Sequence, residues 1–248
     1  MLNIKVKVMK KLDKVTLISI DGVDPEYALK ALLHCMQYFE FASTKLISFR
    51  RPLFFERFEH KIEFNEIEKL SYSAYNKFKI HDIVNYIDTE YCLIIEPDGF
   101  IVNPEIWSSD FLKYDYIGAP WPMNNEVEYQ SVTINTRIGN GGFCLRSRKL
   151  LELCKNIPFD ILEQNQSNFD YENFAEDVFI CRRNYDFLTQ NGVKFAPLDV
   201  ALKFSVEAEV EEYDKNQKTF GFHGKYHFIY KWKEILDKID LRTFEIDM

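Results

Sequence analysis

The segment at residues 93–100 constrains the fold of this chain more than any other. An apolar run, Tyr91–Ile95, is typical of a buried parallel strand, and it stops at two carboxylates, Glu96 and Asp98. A proline between the two acids and a glycine after them turn the chain there. Two carboxylates repel each other unless a cation lies between them. The pattern therefore predicts either a site for a hard divalent metal that also holds a diphosphate, or an acidic turn that only caps a strand.

Strand and helix patterns alternate along the first half of the chain. The β-rich run at residues 15–20 predicts the first strand, and Asp24-Pro25-Glu26 is a helix-start signature. A second strand at 45–49 and a helix with apolar positions from 75 to 87 precede the strand at 91–95. This β-α-β-α-β order predicts a Rossmann-like α/β domain, with a mostly parallel central sheet flanked by helices.

Ligands of such sheets bind beyond the carboxyl ends of the strands. Ser19 and Asp21 lie near the end of the first predicted strand, and Arg50 follows the second. We expect these three residues to contact a nucleotide, on strand-end position alone.

The second half of the chain is less regular. A long loop at 119–137, rich in proline and asparagine, is typical of a functional segment. The patterns then predict strands at 142–145, 193–195 and 220–222, and helices at 147–156, 172–190 and 230–239. We expect one domain, with a basic extension at 1–14, a nucleotide-binding half at 15–118 and an acceptor half at 119–248.

Composition limits the possible partners. The formal charge of −8 argues against a protein that coats nucleic acid. The chain shows neither an apolar run of membrane-spanning length nor a signal-peptide pattern. The lysines within 1–14 are either a solvated tail or a contact with the anionic inner face of a membrane. The five cysteines are scattered without a Cys-x-x-Cys pair, which favours buried, reduced thiols in a cytoplasmic protein.

Gly139-Asn140-Gly141-Gly142-Phe143 is a glycine-dense turn that enters a predicted strand. It is not a Walker loop, since no Gly-Lys-Ser/Thr follows, and its spacing differs from the dinucleotide fingerprint. Glycine permits close approach of a ligand to the backbone. The turn is therefore either a tight hairpin or a floor for a sugar, with Gly141 and Gly142 as contacts.

Three further features carry candidate chemistry. Glu176 and Asp177 are adjacent on a predicted helix and so do not share a face; one can enter a cleft as a general base, for which Asp177 is the candidate, while the other caps or pairs. A solvated helix start is the alternative. His223 lies between two glycines and is either an accessible metal ligand or a structural histidine. Trp121 either stacks on a sugar ring or belongs to the core.

Taken in order, Glu96-x-Asp98, the glycine turn at 139–142, Glu176-Asp177 and the late His223 resemble the common core of GT-A glycosyltransferases. The resemblance implies that Glu96, Asp98 and His223 hold a divalent metal, Mn²⁺ or Mg²⁺. It implies that the glycine turn lines the acceptor side, and that Asp177 is the base of an inverting enzyme.

A closer resemblance is to a family of glycosyltransferase-like proteins that share a domain of unknown function. It extends from about residue 15 to 224. The matching stretches are Asp98-Gly99-Phe100, Tyr114-Asp115-Tyr116-Ile117-Gly118-Ala119-Pro120-Trp121, the run Gly-Asn-Gly-Gly-Phe-Cys-Leu-Arg at 139–146, Glu176-Asp177-Val178, and 220–224. The first acidic position of that family is usually Gln, so Glu96 is a departure and Asp98 is the safer metal ligand.

These resemblances imply transfer of a sugar from a nucleotide-sugar donor, such as a UDP-sugar, to a hydroxyl of a carbohydrate acceptor. The expected setting is the synthesis of cell-surface polysaccharide or glycoconjugate. Arg146 either contacts phosphate or forms a salt bridge. A retaining route, a nucleotidyltransferase on a similar frame, a non-catalytic carbohydrate-binding protein and a scaffold of a polysaccharide assembly remain open. Free nucleoside diphosphate as product would distinguish the sugar transferase from the nucleotidyltransferase, which releases pyrophosphate.

Overall fold

The computed structural model describes residues 9–123, 137–157, 175–214, 217–224 and 231–246. These residues confirm the expected single α/β domain with a mainly parallel central sheet. The described strands are β1 (Lys10–Asp21), β2 (Phe39–Ser48), β3 (Glu63–Glu66), β4 (Tyr91–Ile95), β5 (Tyr116–Ile117), β6 (Phe143–Ser147), β7 (Ser205–Val206) and β8 (Gly221–Phe222). The first six form one sheet in the order β3-β2-β1-β4-β6-β5, and β7 pairs with β8 in a small second sheet.

Helices cover both faces of the large sheet. The described α-helices are α1 (Pro25–Met36), α2 (Tyr72–Lys77), α3 (Arg148–Lys155), α4 (Glu176–Val178), α5 (Tyr185–Gln190), α6 (Leu198–Phe204) and α7 (Trp232–Leu236). Short 3₁₀ turns occur at Phe55–Arg57, Ile83–Tyr86, Pro104–Ile106 and Ser109–Lys113, and π turns occur at Phe78–Asp82 and Phe179–Arg183. None of the helices in these parts of the chain has the length and apolar character needed to span a bilayer.

The central strands explain where the core lies. β1 lies between β2 and β4 and pairs in parallel with both. As in any strand, its alternate residues point to opposite faces of the sheet. Leu17 packs on the face that α1 covers, whereas Ile18 packs on the face that α3 and the π turn after α2 cover. α1 begins where the sequence predicts, because Pro25 occupies its first turn and the Asp24 side chain accepts a hydrogen bond from the Tyr27 amide at 3.3 Å.

β1 starts five residues earlier than its apolar pattern predicts. Its charged start pairs with β2, and ion pairs support it, such as Lys11 with Glu40 at 3.0 Å and Lys14 with Glu90 at 2.8 Å. Residues 10–14 are therefore strand and not a solvated tail, because pairing with a neighbour outweighs the polar pattern. Residues 1–8 of the expected extension lie outside the described residues.

Several other expectations need correction. β3 and β5 carry no prediction, and residues 193–195 form only one bridge, between Phe195 and Tyr116, instead of a strand. The helix expected at 75–87 is divided into α2, a π turn and a 3₁₀ turn. The described part of the helix expected at 172–190 is likewise divided by a π turn. Its last α-helix ends at Gln190, and Gly192 follows with φ of 79°, as the Asn-Gly pair predicts. Residues 124–136 of the long loop lie outside the described residues.

Helix α3 fits its prediction closely, since Ser147 caps it by accepting from the Leu150 amide at 3.1 Å. The five cysteines are all buried and free, as expected.

The direction of β6 positions the candidate site. β6 runs antiparallel to β4, so Ile95 at the end of β4 lies opposite Phe143 at the start of β6. The turn after β4 and the glycine turn before β6 therefore meet at one edge of the sheet. β8 joins them there, because a bridge connects Gly221 to Ile101 and the Gly224 amide donates to the Asp98 carbonyl at 2.9 Å.

Candidate active site

Glu96, Asp98 and His223 form a cluster at this edge. The Nε2 atom of His223 lies 3.3 Å from Glu96 Oε2 and 3.6 Å from Asp98 Oδ1, and one ligand atom from each residue lies within 4.8 Å of the others. Adjacent ligands of a six-coordinate Mg²⁺ or Mn²⁺ are about 3 Å apart. Two carboxylate oxygens and an imidazole nitrogen at these separations fit one divalent cation, with coordination positions left for phosphate oxygens.

Two glycines allow the histidine to reach the carboxylates. A Cβ atom at Gly142 would lie 2.0 Å from His223 Nε2, and one at Gly99 would lie 2.9 Å from His223 Cδ2. Both distances are too short for non-bonded atoms. Glycine is therefore required at these positions by the close approach of the imidazole ring.

Two protein donors bind the Oε1 atom of Glu96. Glu96 Oε1 accepts from the Tyr75 hydroxyl at 2.6 Å and from Lys79 Nζ at 3.0 Å. Burial would raise the pKa of Glu96, but the Lys79 charge and the His223 hydrogen bond hold it well below its usual range. Glu96 is therefore ionised, and its other oxygen, Oε2, faces the cluster, 3.3 Å from His223 Nε2.

Lys79 lies at the centre of a buried charge network. Its side chain is 1% exposed, and its ammonium contacts Glu96 at 3.0 Å, Glu176 Oε1 at 2.7 Å and the Gly141 carbonyl at 3.0 Å. Burial would lower the pKa of Lys79, but the carboxylate of Glu176, the Tyr75 hydroxyl and Glu96 hold it well above its usual value. The network joins the acidic turn after β4 to the start of α4.

Glu176 is held entirely inside this network. Arg146 Nη2 donates to its Oε1 at 2.9 Å, and only 6% of the Glu176 side chain is exposed. Burial would raise its pKa, but Lys79 and Arg146 lower it, so the carboxylate is ionised. A Cβ atom at Gly141 would lie 1.7 Å from Glu176 Oε1, so the glycine turn packs directly on this carboxylate. Arg146 thus forms a salt bridge, one of its two expected roles.

The surroundings of Asp177 raise its pKa, whereas those of Glu176 lower it. Its Oδ2 accepts from the Gly141 amide at 3.2 Å and its Oδ1 from the Val178 amide at 2.7 Å. Burial, followed by the negative charges of Glu176 and Glu207, raises the pKa of Asp177 to about 7. The pKa of Glu176 is lowered and that of Asp177 is raised, so the two adjacent carboxyl groups suit different roles. A pKa near 7 suits a general base.

The glycine turn connects the two parts of the site. Gly141 contacts Asp177 and Gly142 packs against His223. Asn140 shapes the turn: its φ is 63°, in the left-handed region, and its Oδ1 accepts from the Gly142 amide at 3.1 Å. A metal-competent cluster and a carboxyl group with a pKa near neutrality therefore flank the same two residues of backbone.

The three residues expected to contact a nucleotide have different environments. Ser19 is 0% exposed and lies within β1, two residues before its end, so its side chain belongs to the core. Asp21 is half-buried and accepts from the amides of Val23 at 2.8 Å and Asp24 at 2.5 Å. Burial raises the pKa of Asp21. Arg50 is exposed at the same edge, where a bidentate ion pair with Glu26, at 2.6 and 2.7 Å, holds it.

Trp121 packs inside the protein. It is 8% exposed, the Arg182 guanidinium lies 4.1 Å from its ring centroid, and its six-membered ring presses on Gly139. Of the two roles expected for Trp121, this position fits a core residue. Little of the ring surface is open for stacking on a sugar.

Sequence reasoning missed Tyr75, Lys79 and Glu207, which all contact the cluster. Lys79 offers a signal in retrospect, because it stands between two apolar residues of the segment after α2 and four residues from Tyr75. Glu207 offers no local signal, since it is one acid in an acid-rich stretch.

One family matches the chain, described as "Protein of unknown function (DUF5672)", over residues 53–223. The chain belongs to this family. The match includes the cluster residues, the glycine turn and the Glu176-Asp177 pair. No curated protein matches the chain in sequence.

Among solved structures, the chain is similar to a glycosyltransferase involved in the glycosylation of the major capsid of PBCV-1, with 13% identity, a TM-score of 0.47, and coverage of 91% of this chain and 99% of that one. It is similar to the glycosyltransferase GlyE of Streptococcus pneumoniae TIGR4, with 10% identity, a TM-score of 0.47, and coverage of 93% and 63%. It is also similar to residues 1–349 of TarS from S. aureus, with 13% identity, a TM-score of 0.44, and coverage of 90% and 64%. At these scores the similarity is weak.

Proposed function

We propose that this protein is a metal-dependent glycosyltransferase on a GT-A-like frame. It moves a sugar from a nucleotide-sugar donor to a hydroxyl of a carbohydrate acceptor, with inversion, and serves the synthesis of surface polysaccharide or glycoconjugate. One observation carries the proposal: the cluster of Glu96, Asp98 and His223 packs against Gly142, and Asp177 accepts a hydrogen bond from the amide of the adjacent Gly141. This arrangement offers a place for a diphosphate and, beside it, a group that accepts a proton.

The donor set fits Mn²⁺ or Mg²⁺, as its spacing above indicates. When bound, the ion neutralises the charge that develops on the departing diphosphate. Asp98 Oδ1, Glu96 Oε2 and His223 Nε2 are the protein atoms that would hold it. Lys79 keeps Glu96 ionised and occupies the other oxygen of that carboxylate, so Oε2 is the ligand atom it presents.

The acceptor hydroxyl oxygen forms a bond to the anomeric carbon while the bond from that carbon to the diphosphate oxygen breaks. The diphosphate leaves with the electron pair, and the hydroxyl proton moves to Asp177. Burial and the neighbouring charge of Glu176 raise the pKa of Asp177, which makes it basic enough for this role near neutral pH. A single displacement of this kind inverts the anomeric configuration.

A panel of nucleotide sugars, starting with UDP-sugars, tests the proposal in the presence of Mn²⁺. We expect one donor to raise the melting temperature and to release nucleoside diphosphate, and Asp98→Ala to abolish both effects. Asp177→Asn should keep donor binding but slow transfer by roughly 10²–10⁴-fold. Asp186→Asn, at an exposed aspartate of α5, is the matched control. Release of pyrophosphate would identify a nucleotidyltransferase, and carbohydrate binding without turnover would identify a binding protein.

A further inference from the structure

The small β7–β8 sheet places a carboxylate directly behind His223. The two strands are parallel, with Ser205 opposite Gly221 and Val206 opposite Phe222. The next pair in this register is Glu207 and His223. The backbone continues the pairing to that point, because the His223 amide donates to the Val206 carbonyl at 2.9 Å.

The side chains of this pair are in contact. Glu207 Oε1 lies 3.0 Å from His223 Nδ1, on the side of the ring opposite the metal-competent cluster. The other ring nitrogen, Nε2, lies 3.3 Å from Glu96 Oε2 and 3.6 Å from Asp98 Oδ1. The His223 side chain is 17% exposed and that of Glu207 is 30% exposed, so water competes only partly for this hydrogen bond.

Two different contacts therefore determine the position of the imidazole ring. The backbones of Gly99 and Gly142 lie against it and limit its displacement. The hydrogen bond to Glu207 sets its rotation and keeps the proton on Nδ1, which leaves Nε2 as the ligand atom.

We propose that Glu207 is a positioning residue that orients His223 toward a divalent cation held with Glu96 and Asp98. This inference rests on the metal site of the proposed function. Carboxylates that accept from the second nitrogen of a metal-bound histidine fix its tautomer and raise its basicity, and their loss weakens metal binding by roughly 10–100-fold. Glu207 itself does not contact the cation.

The test measures Mn²⁺ binding to the full chain by electron paramagnetic resonance, with inorganic diphosphate present. Pulsed measurements on the bound ion detect coupling to a coordinated ¹⁴N nucleus, which reports the His223 bond itself. The variants are Glu207→Ala, Glu207→Gln and Asp98→Ala, and the control is Glu211→Gln, at an exposed glutamate of the same stretch. Thermal unfolding confirms that each variant is folded.

We expect Glu207→Ala to bind Mn²⁺ roughly 10–100-fold more weakly and to lose the ¹⁴N coupling. Glu207→Gln, which keeps an oxygen acceptor for Nδ1–H, should recover part of the affinity and the coupling, and Glu211→Gln should match the wild type. If Asp98→Ala abolishes binding while Glu207→Ala keeps both affinity and ¹⁴N coupling, the role of Glu207 is refuted and the metal site stands. If wild type and Asp98→Ala bind Mn²⁺ equally, the metal site fails and the role of Glu207 fails with it.

Discussion

Replacing Lys79 with methionine tests whether the buried charge network holds the site together. Methionine keeps most of the apolar volume of the lysine stem but removes the ammonium. That ammonium contacts Glu96 at 3.0 Å, Glu176 at 2.7 Å and the Gly141 carbonyl at 3.0 Å, and the side chain is 1% exposed. Without it, the buried carboxylate of Glu176 and the partly buried carboxylate of Glu96 lose their shared cation.

The contacts that remain in Lys79→Met reduce the expected loss of stability. Glu176 keeps Arg146 at 2.9 Å, and Glu96 keeps the Tyr75 hydroxyl at 2.6 Å and His223 at 3.3 Å. Removing one partner of a buried ion pair typically costs about 3–5 kcal/mol. Because both carboxylates retain a donor, we expect the lower end, about 3 kcal/mol. In a domain of this size that corresponds to a melting temperature lower by roughly 6–12 °C.

Urea unfolding followed by tryptophan fluorescence measures this change. Lys113→Met is the matched control, since Lys113 also forms an ion pair, with Asp110 at 2.6 Å, but is 67% exposed. Its unfolding midpoint should stay near that of the wild type. Combining Lys79→Met with Glu176→Gln should cost less than the sum of the two single losses, because both changes remove the same ion pair.

A decrease of less than about 1 kcal/mol in the free energy of unfolding of Lys79→Met would refute the role of the buried network, because so small a decrease is typical of exposed ion pairs. A double variant whose loss equals the sum of the two single losses would show that the two residues are not coupled.

Three further outcomes are expected from the structure. Gly142→Ala should weaken Mn²⁺ binding by at least about 10-fold in calorimetry, because its Cβ would lie 2.0 Å from His223 Nε2, whereas Gly22→Ala, 3.4 Å from its nearest neighbour, should not. The raised pKa of Asp177 makes the folded protein hold a proton that the unfolded chain loses, so this group reduces stability as pH rises from about 4 to about 7. Asp177→Asn should therefore melt at a higher temperature than wild type at pH 8 and at a similar temperature at pH 4. A wild type that melts at the higher temperature at pH 8 would contradict the raised pKa of Asp177. Native protein should leave all five buried thiols unreacted with a disulfide reagent, and rapid reaction would contradict their burial.

The sequence by itself determined the features that depend on neighbours along the chain. The apolar run of β4 and the acidic turn after it, the cap and proline that start α1, and the serine that caps α3 are all local signals. Their physical basis lies within a few residues, in capping hydrogen bonds, fixed proline geometry and burial periodicity. The order of the motifs also named Glu96, Asp98 and His223 as one set, through resemblance to a family.

Only the tertiary structure decided how these pieces face one another. β6 runs antiparallel to β4, and β1 begins at Lys10 because residues 10–12 pair with β2; neither is visible in a local pattern. The contact between His223 and Glu96 joins residues 127 positions apart. Glu207 acquires its place from the register of β7 and β8, and Lys79 from packing beneath the glycine turn. Such ion pairs and registers are fixed by the burial of the whole domain, so they cannot be predicted from residue type and spacing.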